Sequence, residues 1–289
     1  MANVVEKERF ITLRDMTIDD ISLGMRLKSM AGWNQRESDW QMFLEAGGGN
    51  FVANWNGKDV GTVTSVPYED HFTWIGMVLV DPVARRQGIG TALLNKSIEV
   101  ARRLGPVRLD ATVDGYELYR TLGFRKEYEL IRMTATPART TQTVEQNPIR
   151  VKTTDLRSLV EYDSPLFGAN REYILASMFS GNPEYALCIR GADSLNGYCL
   201  GRKGSKYEQI GPVVADSLTC AKDLLVEFLR NCASQNVVID AFADKPDWIQ
   251  FLEELGFKAQ RSFIRMCLGE LRYPGITDKQ YAIAGPEIG

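Results

Sequence analysis

The second half of this chain repeats the first, and this repetition limits the folds that the chain can adopt. Residues 122–133, Leu-Gly-Phe-Arg-Lys-Glu-Tyr-Glu-Leu-Ile-Arg-Met, align without a gap onto residues 255–266, where Leu, Gly, Phe, Ile, Arg and Met recur at a constant offset. The beginnings of the two halves also correspond. Each predicts a strand followed by a helix, through apolar residues at matching positions: Ile11, Leu13, Ile18 and Ile21 in the first half, and Ile149, Val151, Leu156 and Leu159 in the second.

The repeat predicts two domains of ordinary size in a chain of 289 residues. We place the first at residues 1–136 and the second at residues 148–289. Residues 137–147 between them are polar, Thr-rich and without apolar periodicity, and they include Pro137, which is typical of a linker.

A strand, a turn and a helix follow one another between residues 78 and 103. The apolar strand runs through Pro82 into two arginines and two glycines, and an amphipathic helix is predicted from Ile89 to Arg103. Unpaired backbone N–H groups at a helix N-terminus, together with the aligned peptide dipoles, favour a diphosphate. Gly88 and Gly90 let the backbone approach the phosphates closely and form a nest of N–H groups. No Lys-Ser or Lys-Thr pair follows the glycines, which excludes a Walker A loop.

A dinucleotide-binding fold is the rival interpretation of the same segment. Gly88-Ile89-Gly90 follows a strand, and Asp110 lies about 20 residues further on, as the nicotinamide fingerprint requires. Two features count against it. Leu93 stands where the third glycine should be, and the glycines follow the strand only after Pro82 and the arginine pair.

The pattern Arg85-x-x-Gly88-x-Gly90 after a strand resembles the acetyl-CoA loop of the GNAT superfamily of N-acetyltransferases. Downstream, residues 106–113 predict the next strand. Tyr119-x-x-x-Gly123-Phe124 is then similar to the family's Tyr-x-x-x-Gly-Phe signature, and residues 127–133 predict the strand after it. The resemblance implies an α/β fold of two tandem GNAT-like domains, each a mixed, largely antiparallel twisted sheet flanked by helices.

The resemblance also implies acetyl-CoA as the cofactor. The strand at residues 73–80 would pair with its pantetheine arm through backbone groups, and a backbone N–H in that strand would face the thioester oxygen. Arg86 is either a contact to the adenosine phosphate or a solvated charge. The cofactor-binding residues that follow from the resemblance are Val78, Leu79, Val80, Arg85, Arg86, Gln87, Gly88, Ile89, Gly90 and Thr91.

Tyr119 occupies the position of the family tyrosine that points at the cofactor sulfur, which implies a general acid for the departing thiolate. The alternative is a packing tyrosine with a satisfied hydroxyl. The activity implied is acetyl transfer to a primary amine of a small molecule by direct attack on the thioester. A non-catalytic acyl-CoA-binding sensor or partner module is the alternative, because the strand carries no carboxylate to act as a base.

Acceptor contacts are expected from several segments outside these motifs. Glu69 and Asp70 precede the strand and would relay a proton through water or form a solvated turn, so no base is assigned. Trp33 lies where GNAT proteins have the helix pair over the acceptor site. In the second half, the polar, turn-rich run at residues 163–171 would project Asp163 or Arg171 into a cleft.

The second copy has lost the chemistry of the first. No glycine occurs between Gly211 and Gly256, and Asp216 stands where the loop should be and would repel a diphosphate. Leu252 replaces the tyrosine at the position of Tyr119. We therefore expect a degenerate domain that walls the substrate cleft or serves as a structural or dimerising module.

Composition excludes several other classes of protein. With 44% hydrophobic and 25% charged residues and no apolar run of membrane-spanning length, the chain predicts a cytoplasmic enzyme without a membrane partner. A net charge of −3 without a basic run argues against nucleic acid, and a single histidine, His71, argues against a metal site. The five cysteines predict reduced, mostly buried thiols. A small-molecule amine is the expected partner, and a homodimer is possible.

Overall fold

The structure is a computed structural model, and it describes residues 11–136, 142–192, 194–232 and 236–289. Residues 137–141 of the expected linker therefore lie outside the described residues. The strands are β1 (Ile11–Asp15), β2 (Phe51–Trp55), β3 (Lys58–Tyr68), β4 (Phe72–Val80), β5 (Val107–Thr112), β6 (Arg125–Ala135), β7 (Ile149–Arg150), β8 (Leu187–Arg190), β9 (Leu195–Lys203), β10 (Glu208–Ala215), β11 (Val237–Phe242), β12 (Lys258–Leu268) and β13 (Gln280–Ala282). The helices are α1 (Ile21–Met30), α2 (Glu37–Glu45), α3 (Ile89–Ala101), α4 (Val113–Thr121), α5 (Leu156–Phe167), α6 (Glu172–Gly181), α7 (Leu218–Asn231) and α8 (Pro246–Glu254).

All thirteen strands join one sheet, in the order β1-β2-β3-β4-β5-β12-β6-β11-β13-β10-β9-β8-β7. The pairings are antiparallel except β4 with β5 and β10 with β11, so the expected mixed, largely antiparallel α/β fold is confirmed. Strand β4, Phe-Thr-Trp-Ile-Gly-Met-Val-Leu-Val, is apolar on both faces and almost wholly buried. Such a run belongs to a strand that is covered by helices on both sides.

Three large apolar cores hold the layers of the described residues together, and a fourth, small cluster consists of Leu130, Phe242, Phe263 and Ile283. One large core packs α1 and α2 of the first half and α5 and α6 of the second against the same face of the sheet, so it is continuous across the repeat. The other face carries two separate cores, one built on α3 and α4 and the other on α7 and α8. The face with the continuous core ties the two halves into one body.

The halves also exchange their last long strands. Strand β12 lies between β5 and β6, with Met266 opposite Leu109, and β6 pairs with β11, with Met133 opposite Ile239. The repeated Gly-Phe strands therefore each complete the sheet of the other half. As a result, a cut in the 137–147 linker would not yield two intact sheets, although 1–136 and 148–289 are the units of the sequence repeat.

The repeat at the start of each half needs one correction. Asp20 accepts a hydrogen bond from the Thr17 N–H, Asp155 accepts one from the Lys152 N–H, and a helix begins directly after each aspartate. Ile21 thus corresponds to Leu156 rather than to Leu159, which lies one helical turn further on. Apolar spacing alone could not fix this register, because a shift of about one turn keeps apolar residues on the same helix face.

Residues 284–289 are buried and pack back across the molecule. The Tyr68 hydroxyl donates to the Ile288 carbonyl, Trp74 Nε1 donates to the Pro286 carbonyl, and Arg171 donates to the Gly289 carbonyl. We call this stretch the 284–289 segment. It connects the second half of the chain to strand β4 of the first.

The five cysteines form no disulfide bonds, and Cys232 alone among them is not fully buried. No helix in the described parts of the chain combines the length and the apolar character that a membrane crossing requires.

Candidate active site

The sheet opens between β4 and β5. These parallel strands pair only at Thr73 with Val107 and at Trp74 with Arg108, and beyond these residues their facing edges diverge. The opening forms a pocket whose walls come from both halves of the chain. It is lined by Trp33, Gln35, Ile75, Gly76, Met77, Val78, Leu109, Asp110, Thr112, Tyr119, Arg132, Arg261, Phe263, Pro286 and Glu287.

A β-bulge in β4 lies at the centre of this pocket. Thr62 of β3 is opposite Leu79 and Thr64 is opposite Gly76, so Met77 and Val78 together face Val63 alone. Met77 has a φ of 50°, and its carbonyl accepts a hydrogen bond from the Thr62 hydroxyl. A bulge breaks the regular ladder and leaves backbone groups of the bulged strand without a ladder partner, and here the bulged residues Met77 and Val78 line the pocket.

The phosphate-loop candidate follows β4 without a break. The Asp81 carboxylate accepts a hydrogen bond from the Val83 N–H and pairs with Arg26 of α1, which fixes the turn. Arg86 and Gly88 adopt positive φ values of 59° and 82°, and α3 begins at the next residue. The first N–H groups of α3 have no acceptor within the helix, and its first turn carries no acidic residue.

Tyr119 of α4 lines the pocket and packs edge-on against Phe124, with the ring centroids 5.9 Å apart. Among the described residues, none is recorded as a hydrogen-bond partner of its hydroxyl. Burial raises the pKa of Tyr119 to about 12, so the phenol keeps its proton at neutral pH. The general-acid role and the packing role of Tyr119 both remain predictions.

The second half has the same architecture, but its opening is filled. Strands β10 and β11 pair in parallel over three residues and then separate, and β13 occupies the gap, with Ala282 opposite both Val213 and Ala241. The bulge is repeated at Gly211 and Pro212, where Pro212 supplies no N–H. Helix α7 carries a side-chain cap, in which the Ser217 hydroxyl accepts from the Cys220 N–H.

Family models match both halves of the chain. The model described as the acetyltransferase (GNAT) family matches residues 22–124, and the model described as an acetyltransferase (GNAT) domain matches residues 159–282. The chain belongs to the GNAT superfamily. Both matches span the strands that frame the two openings, and tandem GNAT proteins are among the structures that resemble it.

Several relatives and solved structures match this chain over most of their own length. Holothin acyltransferase of Pseudoalteromonas sp. strain SANK 73390 is 25% identical over 260 residues, which cover 89% of this chain and 87% of that protein. A crystal structure from Pyrococcus horikoshii, described provisionally as an acetyltransferase, superposes with a TM-score of 0.81 at 24% identity, covering 96% of each chain. A tandem GNAT protein from the clavulanic acid biosynthesis pathway gives a TM-score of 0.64 at 13% identity, covering 90% of this chain and 98% of that one. The two structural likenesses establish the fold alone.

Several of the cofactor-binding, catalytic and acceptor residues predicted from the sequence lie close together in this GNAT chain. Val78 and Tyr119 line the pocket, Leu79 and Val80 continue β4 away from it, and Trp33 closes it from the loop before α2. Residues 85–91 form the turn into α3 at the same end of β4, where the Gly90 position lies against Val80. These positions fit the roles expected of them, which remain predictions.

Four nominated acceptor residues lie elsewhere. Asp163 and Arg171 form a fully buried ion pair, with both guanidinium–carboxylate contacts at 2.8 Å, so they do not project into a cleft. Glu69 and Asp70 stand in the turn before β4, at the other end of the strand from the bulge, and the strand from Phe72 to Met77 alone spans about 16 Å. Glu69 instead accepts a hydrogen bond from the Asn170 N–H. The polar composition that suggested these residues reflects a structural pair and an exposed turn.

The charged side chains that do line the pocket were not identified from the sequence. They are Asp110, Arg132, Arg261 and Glu287. Asp110 is held by Arg265 through two contacts of 2.8 Å, and Arg132 is held by Asp240 through two contacts of 2.7 Å. Asp110 stands in the nicotinamide fingerprint considered above, which gives it a different role. No sequence motif marks the other three, because they come from β6, β12 and the 284–289 segment and meet only in the folded chain.

Proposed function

We propose that this chain is an acetyl-CoA-dependent N-acetyltransferase that transfers the acetyl group to a primary amine of a small molecule by direct attack on the thioester. The observation that carries the proposal is the contrast between the two halves. The first half has an open slot between diverging strands, a bulge with N–H groups, and an uncapped helix start. In the second half, β13 fills the slot, the bulge contains Pro212, which has no N–H, and the Ser217 hydroxyl caps the start of the helix.

The residues of the first half suit the parts of acetyl-CoA. The unpaired edge of β4 beyond Trp74 offers backbone donors and acceptors to an extended pantetheine arm, as a strand edge does to a peptide. Arg85, Arg86 and Gln87 precede the N–H groups of Gly88, Ile89, Gly90 and Thr91, which would hold the diphosphate. Acetyl-CoA, when bound, supplies the thioester.

The bulge and Tyr119 would perform the chemistry on the protein side. A backbone N–H of Met77 or Val78 would stabilise the negative charge that develops on the carbonyl oxygen, an effect worth roughly 3–4 kcal/mol in comparable sites. Tyr119 would donate its hydroxyl proton to the departing thiolate, which its raised pKa permits because the phenol remains protonated until that moment. The second half would bind no CoA and would serve as a wall of the same pocket.

Thermal unfolding in the presence of acetyl-CoA, CoA or NAD, each in a parallel sample, tests the proposal first. A ligand at about 100 times its dissociation constant stabilises the folded state by about 2.7 kcal/mol, which raises the midpoint by several degrees. We expect both CoA forms to raise it and NAD to have no effect. Release of free thiol from acetyl-CoA in the presence of an amine panel then separates an enzyme from a binding protein without turnover. A shift with NAD alone would replace the proposal with a dinucleotide-binding function.

A further inference from the structure

A row of polar side chains crosses the sheet at the strand exchange. Arg261 of β12 is opposite Arg132 of β6, and Arg132 is opposite Asp240 of β11. Asp240 accepts two hydrogen bonds from Arg132 and a third from Gln209 Nε2 at 3.0 Å. The Asp240 carboxylate therefore already has its partners. The guanidinium groups of Arg132 and Arg261 are neighbours across the sheet, which is unfavourable without a further anion.

Arg261 is the cation in this row without a counterion. Its guanidinium lies over the Phe263 ring at 5.2 Å, and among the described residues no carboxylate lies within ion-pair distance of it. Its Nε is buried and has no hydrogen-bond partner. Burial and the charge of Arg132 both lower the pKa of Arg261. A guanidinium in a pocket wall that lies beside a second cation and has no carboxylate partner is costly, and an anionic ligand would offset that cost.

The opposite wall of the pocket carries a carboxylate with a free oxygen. The 284–289 segment presses Glu287 onto β4, so closely that a Cβ on Gly76 would lie 3.1 Å from the Glu287 Cβ. Glu287 is 4% exposed, and its Oε1 accepts from Arg202, which also pairs with Asp39. None of the described residues is recorded as donating a hydrogen bond to Oε2. Nearby, Gln35 Oε1 is buried in the same pocket without a partner.

We propose that the acceptor is a small amine that also carries an acidic group, such as an amino acid. Its nitrogen would lie against Glu287 and Gln35 beside the β4 bulge, and its acidic group would lie on Arg261. Arg261 and Glu287 both line this pocket and form no ion pair with each other, so an acceptor that binds between them would meet both charges. This inference rests on the acetyltransferase function proposed above and specifies its acceptor.

The arrangement also supplies the proton acceptor that β4 lacks. The amine enters as an ammonium and loses one proton to water before it attacks. Its nitrogen forms a bond to the thioester carbonyl carbon, the second proton passes from the nitrogen to Glu287, and the carbon–sulfur bond breaks. The thiolate takes the proton of Tyr119, and the Glu287 proton returns to the phenolate through solvent. The products are the N-acetylated acid and free CoA, with one proton released.

Matched amine pairs test the inference on the full chain. Glycine, β-alanine and γ-aminobutyrate would be compared with ethylamine, propylamine and putrescine, with thiol release as the readout and acetyl-CoA binding measured by calorimetry in parallel. We expect acid-bearing amines to react with a kcat/KM about tenfold or more above that of the amines that lack an acidic group. Preference for the amines that lack an acidic group, or no turnover of any acid-bearing amine while acetyl-CoA binds, would overturn the inference and leave the CoA site intact. Failure to bind acetyl-CoA would overturn the proposed function itself.

Two variants separate the roles of the pocket walls. Arg261→Gln should raise KM for acid-bearing amines about tenfold or more with a smaller change in kcat, and Arg261→Lys should recover part of the loss. Glu287→Gln should lower kcat about 100-fold. Because Arg202 would keep Asp39 as its partner, the fold and the affinity for acetyl-CoA should be unchanged. Arg157→Gln and Glu161→Gln, on the exposed face of α5, are the matched controls. Equal effects in the controls, or an unchanged KM in Arg261→Gln, would refute the assignment.

Discussion

The contact between Gly76 and Glu287 allows a stringent test of how the 284–289 segment serves the pocket. In Gly76→Ala, the added Cβ would lie 2.8 Å from the Glu287 carbonyl oxygen and 2.9 Å from its Cα. Carbon atoms in folded proteins do not approach backbone so closely, so β4 or the segment must move. The segment cannot move freely, because Trp74, Tyr68 and Arg171 each hold one of its carbonyl groups.

The expected cost follows from these contacts. Overpacking of a well-packed site typically costs 1–3 kcal/mol, and loss of one neutral hydrogen bond costs about 0.5–1.5 kcal/mol. The lower entropy of the unfolded alanine chain offsets about 0.4–1 kcal/mol. We therefore expect the free energy of unfolding to fall by about 2 kcal/mol. Because misplacement of a reacting group by about 1 Å can cost about 100-fold in rate, we expect kcat to fall at least tenfold.

Urea unfolding, thiol release and acetyl-CoA calorimetry measure these effects separately. The dissociation constant of acetyl-CoA should change little, since the clash is on the side of β4 that faces Glu287. Gly181→Ala is the control, because a Cβ at that position at the end of α6 meets no atom within 4 Å. If Gly76→Ala unfolds like the wild-type chain and keeps its kcat, then Glu287 is not positioned by this contact and the reasoning is wrong.

Three further changes test the remaining assignments. Tyr119→Phe should lower kcat about 100-fold at constant acetyl-CoA affinity. In the wild-type chain, the pKa of Tyr119 is raised to about 12, so the acid stays protonated and kcat should show no loss from this group up to about pH 10. A decline of kcat near pH 9 would contradict the assignment. Gly90→Asp should weaken acetyl-CoA binding about 100-fold or more through repulsion of the diphosphate and leave the fold intact. Thr219→Asp, at the same position of α7, should leave acetyl-CoA binding unchanged, and calorimetry of the wild type should give one site per chain. Asp163→Asn leaves Arg171 buried without its carboxylate, so the free energy of unfolding, measured by urea unfolding, should fall by about 3–5 kcal/mol. A fall below about 1 kcal/mol would count against a structural role for the pair.

The parts of the fold that the sequence predicts well are those encoded by local pattern. The helix expected from Ile89 to Arg103 spans Ile89–Ala101, and the strand expected at 106–113 spans Val107–Thr112. Both follow from apolar periodicity beside glycines that permit positive φ. The strand exchange could not be predicted in this way, because the last strands of the two halves, β6 and β12, share the same Leu-Gly-Phe…Ile-Arg-Met pattern. A pattern that fits both sheets equally well does not determine which sheet each strand joins.

The tertiary contacts of polar residues are even harder to predict from local sequence than the pairing of strands. Asp163 and Arg171 lie eight residues apart in a turn-rich run that resembles a projecting loop, but α5 continues through Pro165 and Arg171 folds back onto Asp163. Glu287 gives no local indication of its role, since nothing near it in sequence suggests that it reaches Gly76. Local sequence specifies that a charge is present, whereas only tertiary packing decides whether it meets a partner or a pocket.

The proposed function gives a reason for the retention of a second half that would bind no cofactor. Strand β13 occupies the gap between β10 and β11 in the manner of an extended chain paired to a strand edge, and the Ile283 N–H continues this pairing to the Asp240 carbonyl. The chain leaves that gap only a few residues before Glu287 reaches the pocket of the first half. The gap that corresponds to the proposed pantetheine slot thus anchors the segment that would complete the proposed active site, and Arg261 enters the same pocket on β12, a strand of the second half. On this proposal, the structural change that removes one cofactor site also supplies the wall of the acceptor pocket.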